Sequence, residues 1–192
     1  MVNRRIVLKL GAVGAAGALL NTPSQAFKVA RISPHRSLRR AIFDSRFQDS
    51  ATFAQELSNR GVVVSGIHGD VAKLWYDDLQ IQLRKAATPI AGLTDRVAAF
   101  CLEELVRDVG LKMFFRVDHV IDRNGNVRHR GVGPASLLNA VHNLAPRLGF
   151  GESIARLVEH VDFDEAGDIA AQKRTGPYPP EGLTALVSWI VA

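Results

Sequence analysis

Leu111–Val132 reads LKMFFRVDHVIDRNGNVRHRGV, and how this stretch is read decides the fold. Its first half, up to Asp122, is long and rich in aromatic and β-branched residues, which suits a strand. Asn124-Gly125 then interrupts it, and this dipeptide tolerates the positive φ that a tight two-residue turn requires. The strand is therefore expected to fold back antiparallel through Val127. With Asn124 and Gly125 as the central turn residues, Arg123 faces Asn126 and His119 faces Arg130.

Upstream of the hairpin the chain alternates between two periods. RAIFD (Arg40–Asp44), GVVVSGI (61–67) and TPIAGLT (88–94) are short apolar or β-branched runs of strand length. Between them, Asp49–Gly61 carries Phe53 and Leu57 at helical spacing. A second segment starts at Asp70 and puts Val71, Leu74, Trp75, Leu79 and Leu83 on one face, stopping near Ala87. A third, DRVAAFCLEELVRDVG, has Thr94 placed to cap it and an expected apolar stripe of Val97, Phe100, Cys101, Leu105 and Val109. Downstream lie two helical pieces, 134–148 and 152–161. A rigid GPYPPEG loop follows, and the apolar LTALVSWIVA ends the chain as a strand. The expected fold is α/β: a small, mainly parallel, Rossmann-like three-layer sheet with an antiparallel hairpin extension and C-terminal helices.

Of 192 residues, 47% are hydrophobic and 22% charged, ample for one domain with a core. The net charge of +5 is misleading, because Arg4, Arg5 and Lys9 precede Ala26 and no acid does. The remaining 21 basic groups against 19 acidic ones leave +2, so net charge gives no support to nucleic-acid binding. A single cysteine, Cys101, excludes an internal disulfide, a CxxC redox pair and a thiol-only zinc site. It sits among apolar residues and reads as a small hydrophobe.

The N-terminus has the three parts of an export signal: basic Arg4-Arg5, an apolar middle from Ile6 to Leu20, and small residues at Ser24-Gln25-Ala26 before Phe27. The middle is about fifteen residues long, short of the roughly twenty a membrane-spanning helix needs. Asn3-Arg4-Arg5-Ile6-Val7-Leu8-Lys9 resembles the twin-arginine (Tat) signal pattern S/T-R-R-x-F-L-K, departing from it at Asn3 and Val7. Gly11, Gly14 and Gly17 give the low hydrophobicity of such signals. The resemblance implies export of an already folded protein by the Tat machinery to the periplasm or outside the cell. Membrane contact would then be transient, or made through an uncleaved leader. Residues 1–26 are accordingly the signal peptide and 27–192 a single α/β domain, with a basic lead-in that includes Arg36 and Arg39.

In open α/β sheets ligands bind beyond the carboxyl ends of the parallel strands. That rule selects Asp44, Ser45 and Arg46, then His68 and Asp70, then Thr94, Asp95 and Arg96, and, at the fourth strand, Asp118 and His119. His68 and Asp44 are the catalytic candidates, as acid or base. Arg46, Asp70, Thr94 and Arg96 are the ligand-binding candidates, the arginines suiting an anionic small molecule. Each also has a plain structural role: Asp70 and Thr94 as helix caps, the arginines as ion-pair partners, and His68 as a loop histidine satisfied by backbone. Trp75 reads as core, Tyr76 with Asp77 and Asp78 as surface.

His119, His129, His142 and His160 lack the spacing that puts two metal ligands on one helical face. Asp162, Asp164 and Asp168 with Gly167 echo a calcium loop without its alternation or closing glutamate. No G-x-G-x-x-G and no G-x-S-x-G is present. The function expected is therefore a small binding or accessory protein of the cell envelope, and the resemblance to a twin-arginine leader implies a link to a redox system, since that route serves redox enzymes and their partners. The alternative is a small exported enzyme using His68, Asp44 and Arg46.

Overall fold

The structure, a computed structural model, describes residues 37–121, 127–144, 149–161, 163 and 184–192. The expected signal peptide, Arg36, the Asn124-Gly125 turn and the calcium-like aspartates lie outside the described residues. Strands β1 (Arg40–Asp44), β2 (Val63–Ile67) and β3 (Ile90–Thr94) alternate with helices in the expected way. The helices are α1 (Gln48–Ser58), a rod in which α2 (Ala72–Leu74) runs through a π-helical turn (Trp75–Leu79) into α3 (Gln80–Lys85), and α4 (Arg96–Arg107). Then come β4 (Met113–Ile121), β5 (Val127–Val132), α5 (Ala135–His142), α6 (Phe150–Glu159) and β6 (Thr184–Val191).

All six strands form one sheet in the order β2-β1-β3-β6-β4-β5. The expectation of a mainly parallel sheet is corrected. Only β2-β1 and β1-β3 are parallel, the pairing a Rossmann-like sheet is built from; β3-β6, β6-β4 and β4-β5 are antiparallel. The C-terminal strand causes the difference by inserting between β3 and β4. Leu186 and Ile190 enter one core layer, while Val187, Trp189 and Val191 enter the other, all fully buried. A strand apolar on both faces has to be covered on both, which places it inside the sheet. β4 still points the same way as β1–β3, so the alternation upstream carried no sign of the intruding strand.

The α/β class and the three layers stand. On one face α1, α5 and α6 pack Phe53, Leu57, Leu138, Val141, Ile154 and Val158 against Ala41, Leu93, Phe115 and Val117. On the other, the α2–α3 rod and α4 pack Trp75, Leu79, Leu83, Leu102 and Val106 against Ile42, Ile90 and Trp189. Trp75 is core as expected and Tyr76 is exposed. The stripe on α4 is corrected: Ala98, Ala99, Leu102 and Val106 face the sheet, while Val97 and Phe100 are 64% and 56% exposed. The bulky tryptophans already fill that layer, so the helix approaches on its alanines. Cys101 is half-buried beside this face.

The hairpin exists, but its register differs by one residue. Ile121 pairs with Val127 and His119 with His129, where the two-residue turn would have set His119 against Arg130. Five residues, 122–126, separate the paired ends. Because side chains alternate across a strand, a one-residue slip moves every cross-strand neighbour to the other face. Here it brings two histidines face to face.

β6 is keyed into the sheet by Trp189, which lies opposite Gly92 of β3. A Cβ on Gly92 would fall 2.2 Å from Trp189 Cζ2 and 2.9 Å from the Ile42 carbonyl oxygen. Both neighbours are fixed, one by the core and one by the backbone. Gly92→Ala should therefore cost about 1–3 kcal/mol of stability through overpacking. Urea denaturation followed by tryptophan fluorescence will show this as a lower midpoint; an unchanged midpoint would mean that the indole does not occupy this position.

Candidate functional site

The strand ends converge around Arg46. Asp44, the last residue of β1, is fully buried. Its amide N–H donates to Ser50 Oγ at 2.8 Å, and Ser50 in turn donates to the Leu93 carbonyl, so the start of α1 ties the ends of β1 and β3 together. Two residues on, Arg46 folds back in a fork: Nε donates to Asp44 Oδ1 at 3.0 Å and Nη2 to Oδ2 at 2.6 Å. The same Nη2 bonds Asp95. Gly69, at φ 82°, supplies the floor, since a Cβ there would meet the guanidinium carbon at 2.7 Å.

This geometry sets the charges. Burial pushes the Asp44 carboxyl up, but the hydrogen bonds and charge of Arg46 outweigh it and hold the group below the ordinary carboxylate value. Asp44 and Asp95 in turn keep the guanidinium protonated. Bidentate pairing of this kind is the strong form of the arginine–carboxylate contact. Arg46 is thus engaged by two carboxylates of the protein itself and does not stand open as an anion clamp.

The other candidates take up separate positions. His68 is exposed, with Nδ1 3.3 Å from the Ser45 hydroxyl, and Ser45 donates to the Ile67 carbonyl at 2.9 Å. Asp70 accepts the Ala72 N–H at 2.8 Å and so caps the start of α2 from outside it. Thr94 is not the cap of α4: Asp95 accepts the Ala98 N–H at 2.7 Å in that role. Thr94 Oγ1 instead accepts the buried Trp189 Nε1–H at 3.0 Å and donates to the Asp95 carbonyl. Arg96 reaches across to Asp118 at 3.4 Å, and Asp118 faces Arg130 on β5. Of the expected site residues, Asp44 and Arg46 bond directly, Thr94 touches the Asp95 backbone, and His68, Asp70 and Arg96 bond elsewhere. Asp95 is the member that sequence reasoning put at the third strand end without naming it as a binding or catalytic candidate.

A second polar constellation lies on the opposite face of the sheet. His119 and Ser188 have no exposed surface, and His119 Nε2 lies 2.7 Å from Ser188 Oγ. His119 Nδ1 lies 2.8 Å from His129 Nδ1. The Phe150 ring packs 4.8 Å from the His119 ring, and His142 stands 5.8 Å beyond His129. One proton serves the contact between the two Nδ1 atoms, since one must donate and the other accept. Burial, reinforced by the adjacent His129, holds His119 well below the ordinary imidazole range; burial and His142 bring His129 down to about 4. Ser188, His119 and His129 have the order of nucleophile, base and orienting group. With the hydroxyl fully enclosed, however, they form a satisfied core network. The expected register hid this pair; a turn longer than two residues is the reading that would have exposed it.

Among the described residues no group of three or more histidine, cysteine or acidic side chains is arranged to hold a metal ion, and no helix is long and apolar enough to cross a membrane. His160, at the end of α6, bonds the Arg156 carbonyl.

Removing the Arg46 side chain takes its bidentate partner from the buried Asp44 carboxylate. Arg46→Ala should cost about 1–3 kcal/mol at neutral pH, the penalty for a buried group left without its partner. In the wild type the depressed Asp44 value stabilises the fold above about 3.8 and that contribution is lost as pH falls through the lower folded value. In the variant the side-chain bonds and charge of Arg46 are gone and only backbone N–H groups of residues 46 and 95 still favour the carboxylate, so burial weighs more and the value rises. The difference in stability between the two should therefore be largest near pH 7 and shrink on acidification. Paired urea titrations at pH 7 and pH 4 measure it; a difference that does not change with pH would show that Asp44 does not depend on Arg46.

Comparison with known proteins finds no matching family model, no matching curated protein and no matching solved structure.

Proposed function

We propose that the chain is an exported protein of the bacterial cell envelope, periplasmic or secreted, that acts by binding a partner. The observation that carries the binding half is the engaged strand end: where an α/β sheet ordinarily receives its ligand, the Arg46 guanidinium lies over Gly69 and is bonded to the protein's own Asp44 and Asp95. An outward apolar pair supports the same reading. Val97 and Phe100, three residues apart and so adjacent on one helical face, are exposed on α4, the helix whose cap is Asp95. Apolar side chains displayed side by side favour a protein contact.

The export half rests on residues 3–26, with their paired arginines, glycine-softened apolar stretch and small-residue cleavage site. A leader of the twin-arginine type serves proteins that fold before transport, redox enzymes and their partners among them. A redox complex of the envelope is thus the first class of partner to test. The balanced charge of the remaining domain argues against nucleic acid as that partner.

One observation favours the alternative, a small exported enzyme. The Ser45 hydroxyl gives its proton to the Ile67 carbonyl, so toward His68 it is an acceptor, and Nδ1–H is the donor. That tautomer leaves Nε2 with a free lone pair on an exposed ring, as an acid/base group requires. Such an enzyme would have to act without Arg46 as its anion holder.

Expression in a bacterial host with fractionation separates these readings. The Arg4→Lys/Arg5→Lys variant should stay in the cytoplasm. Val97→Ser/Phe100→Ser should be exported and folded yet lose the partner that copurifies with wild type, while His68→Ala keeps it. Normal export of the lysine variant would refute the leader reading. A partner retained by the serine variant, or a hydrolytic or transfer activity lost only in His68→Ala, would refute the binding reading.

A further inference from the structure

The pair formed by buried His119 and half-buried His129 does more than fill space. It joins an interior strand, β4, to β5, whose only strand neighbour among the described residues is β4. Along β5 the side chains are half-buried or exposed, so few apolar contacts hold it. His129 supplies its bond to the interior, and α5 follows β5 directly with His142 at its end. We propose that the His119–His129 contact is an acid-sensitive latch, holding β5 and α5 against the sheet at neutral pH and releasing them when the surroundings turn acidic.

The physical basis is proton capacity. Two Nδ1 atoms 2.8 Å apart hold one proton between them. A second would set two N–H groups head to head and leave a charge among apolar groups. Among the described residues the side chains that face the pair bring no negative charge to balance it. The His pair is faced from β6 by the Ser188 hydroxyl, from α6 by the Phe150 ring, and from α5 by His142, itself a source of positive charge when protonated. Asp118, Arg128 and Arg130 flank the pair along β4 and β5 but alternate to the other face, where Asp118 meets Arg96 on α4. Among the described residues no carboxylate bonds either imidazole. Ser188 accepts or donates one hydrogen bond equally well and cannot neutralise a charge.

The sign follows from the folded values, which lie below the ordinary 6.5: both rings stay neutral while the latch is closed and take up protons once it opens. Closure is at full strength above about pH 6.5 and weakens as pH falls toward 4. With two protons linked to opening, the opening constant rises by up to about 100-fold per pH unit at the steepest. The layer beneath α3 and α4 contains no histidine, so β2-β1-β3 and its helices have no equivalent reason to open.

Hydrogen–deuterium exchange of the full chain at pH 7.5 and pH 5.0, corrected for the intrinsic rate, tests the latch. Peptides covering 127–142 should lose protection at pH 5.0 while those covering 40–44 and 90–94 keep it. His119→Leu/Ser188→Ala replaces the interior half with an apolar pair, leaving one linked proton, and the pH slope should fall to at most about tenfold per unit. Should that variant not fold, imidazole proton signals of the wild type give the answer alone: both rings of the closed form should stay neutral to below pH 5. Unchanged protection of 127–142 between the two pH values, or rings that titrate near 6.5 while β5 stays protected, would overturn the proposal.

Discussion

The structure depends on one constraint: a C-terminal segment apolar on both faces has to be buried on both. Leu186 through Val191 leave no polar face for solvent, so β6 cannot lie at an edge, and it enters between β3 and β4. Everything distinctive about the sheet follows. The parallel trio stays together, the hairpin strands are displaced outward, and Trp189 reaches across to sit over Gly92 with its indole N–H on Thr94. Fully burying a side chain of this size is worth several times the net value of an ordinary hydrogen bond, so packing sets the position and the Thr94 bond satisfies the indole once it is there.

β6 also separates two polar clusters of different kinds. On the α4 side, charges are neutralised in pairs and forks: Arg46 with Asp44 and Asp95, Arg96 with Asp118, Arg116 with Glu103. On the α6 side, Ser188 of β6 meets a neutral histidine pair, with no charged group bonded to either ring among the described residues. In the first cluster the Asp44–Arg46 fork holds the carboxyl below its ordinary value and keeps the guanidinium protonated, so both stay charged near neutrality. The second is neutral only while imidazoles stay unprotonated. A single strand thus divides a permanently charged face from one whose charge depends on the medium.

Much of the fold was legible because local pattern and tertiary role agreed. The β1–α1–β2 unit, the rod through Trp75 and Leu83, and the apolar last strand are each written in period and punctuation. What was not legible lay in relations between distant segments. Nothing near Thr184 names β3 and β4 as its neighbours, although its two-sided apolarity marks an interior strand. On α4 the larger residues Val97 and Phe100 suggested the buried face, but Ala98, Ala99, Leu102 and Val106 are the residues turned to the layer of Trp75 and Trp189. At the strand ends the residue types were found and their partners were not: Arg46 looked available for a ligand until Asp95, forty-nine positions on, was seen to share it. The histidine pair was hidden by one residue of register, which reverses every cross-strand neighbour.

The central claim, that the C-terminal strand is the middle of the sheet, is tested most directly by native-state amide exchange along β6 at neutral pH. Amides of residues 185–191 should be among the slowest in the chain, opening only with global unfolding, at the same free energy as those of β3. Exchange at the rate of a fraying terminus, or loss of residues 184–192 without unfolding of β1 and β3, would contradict it.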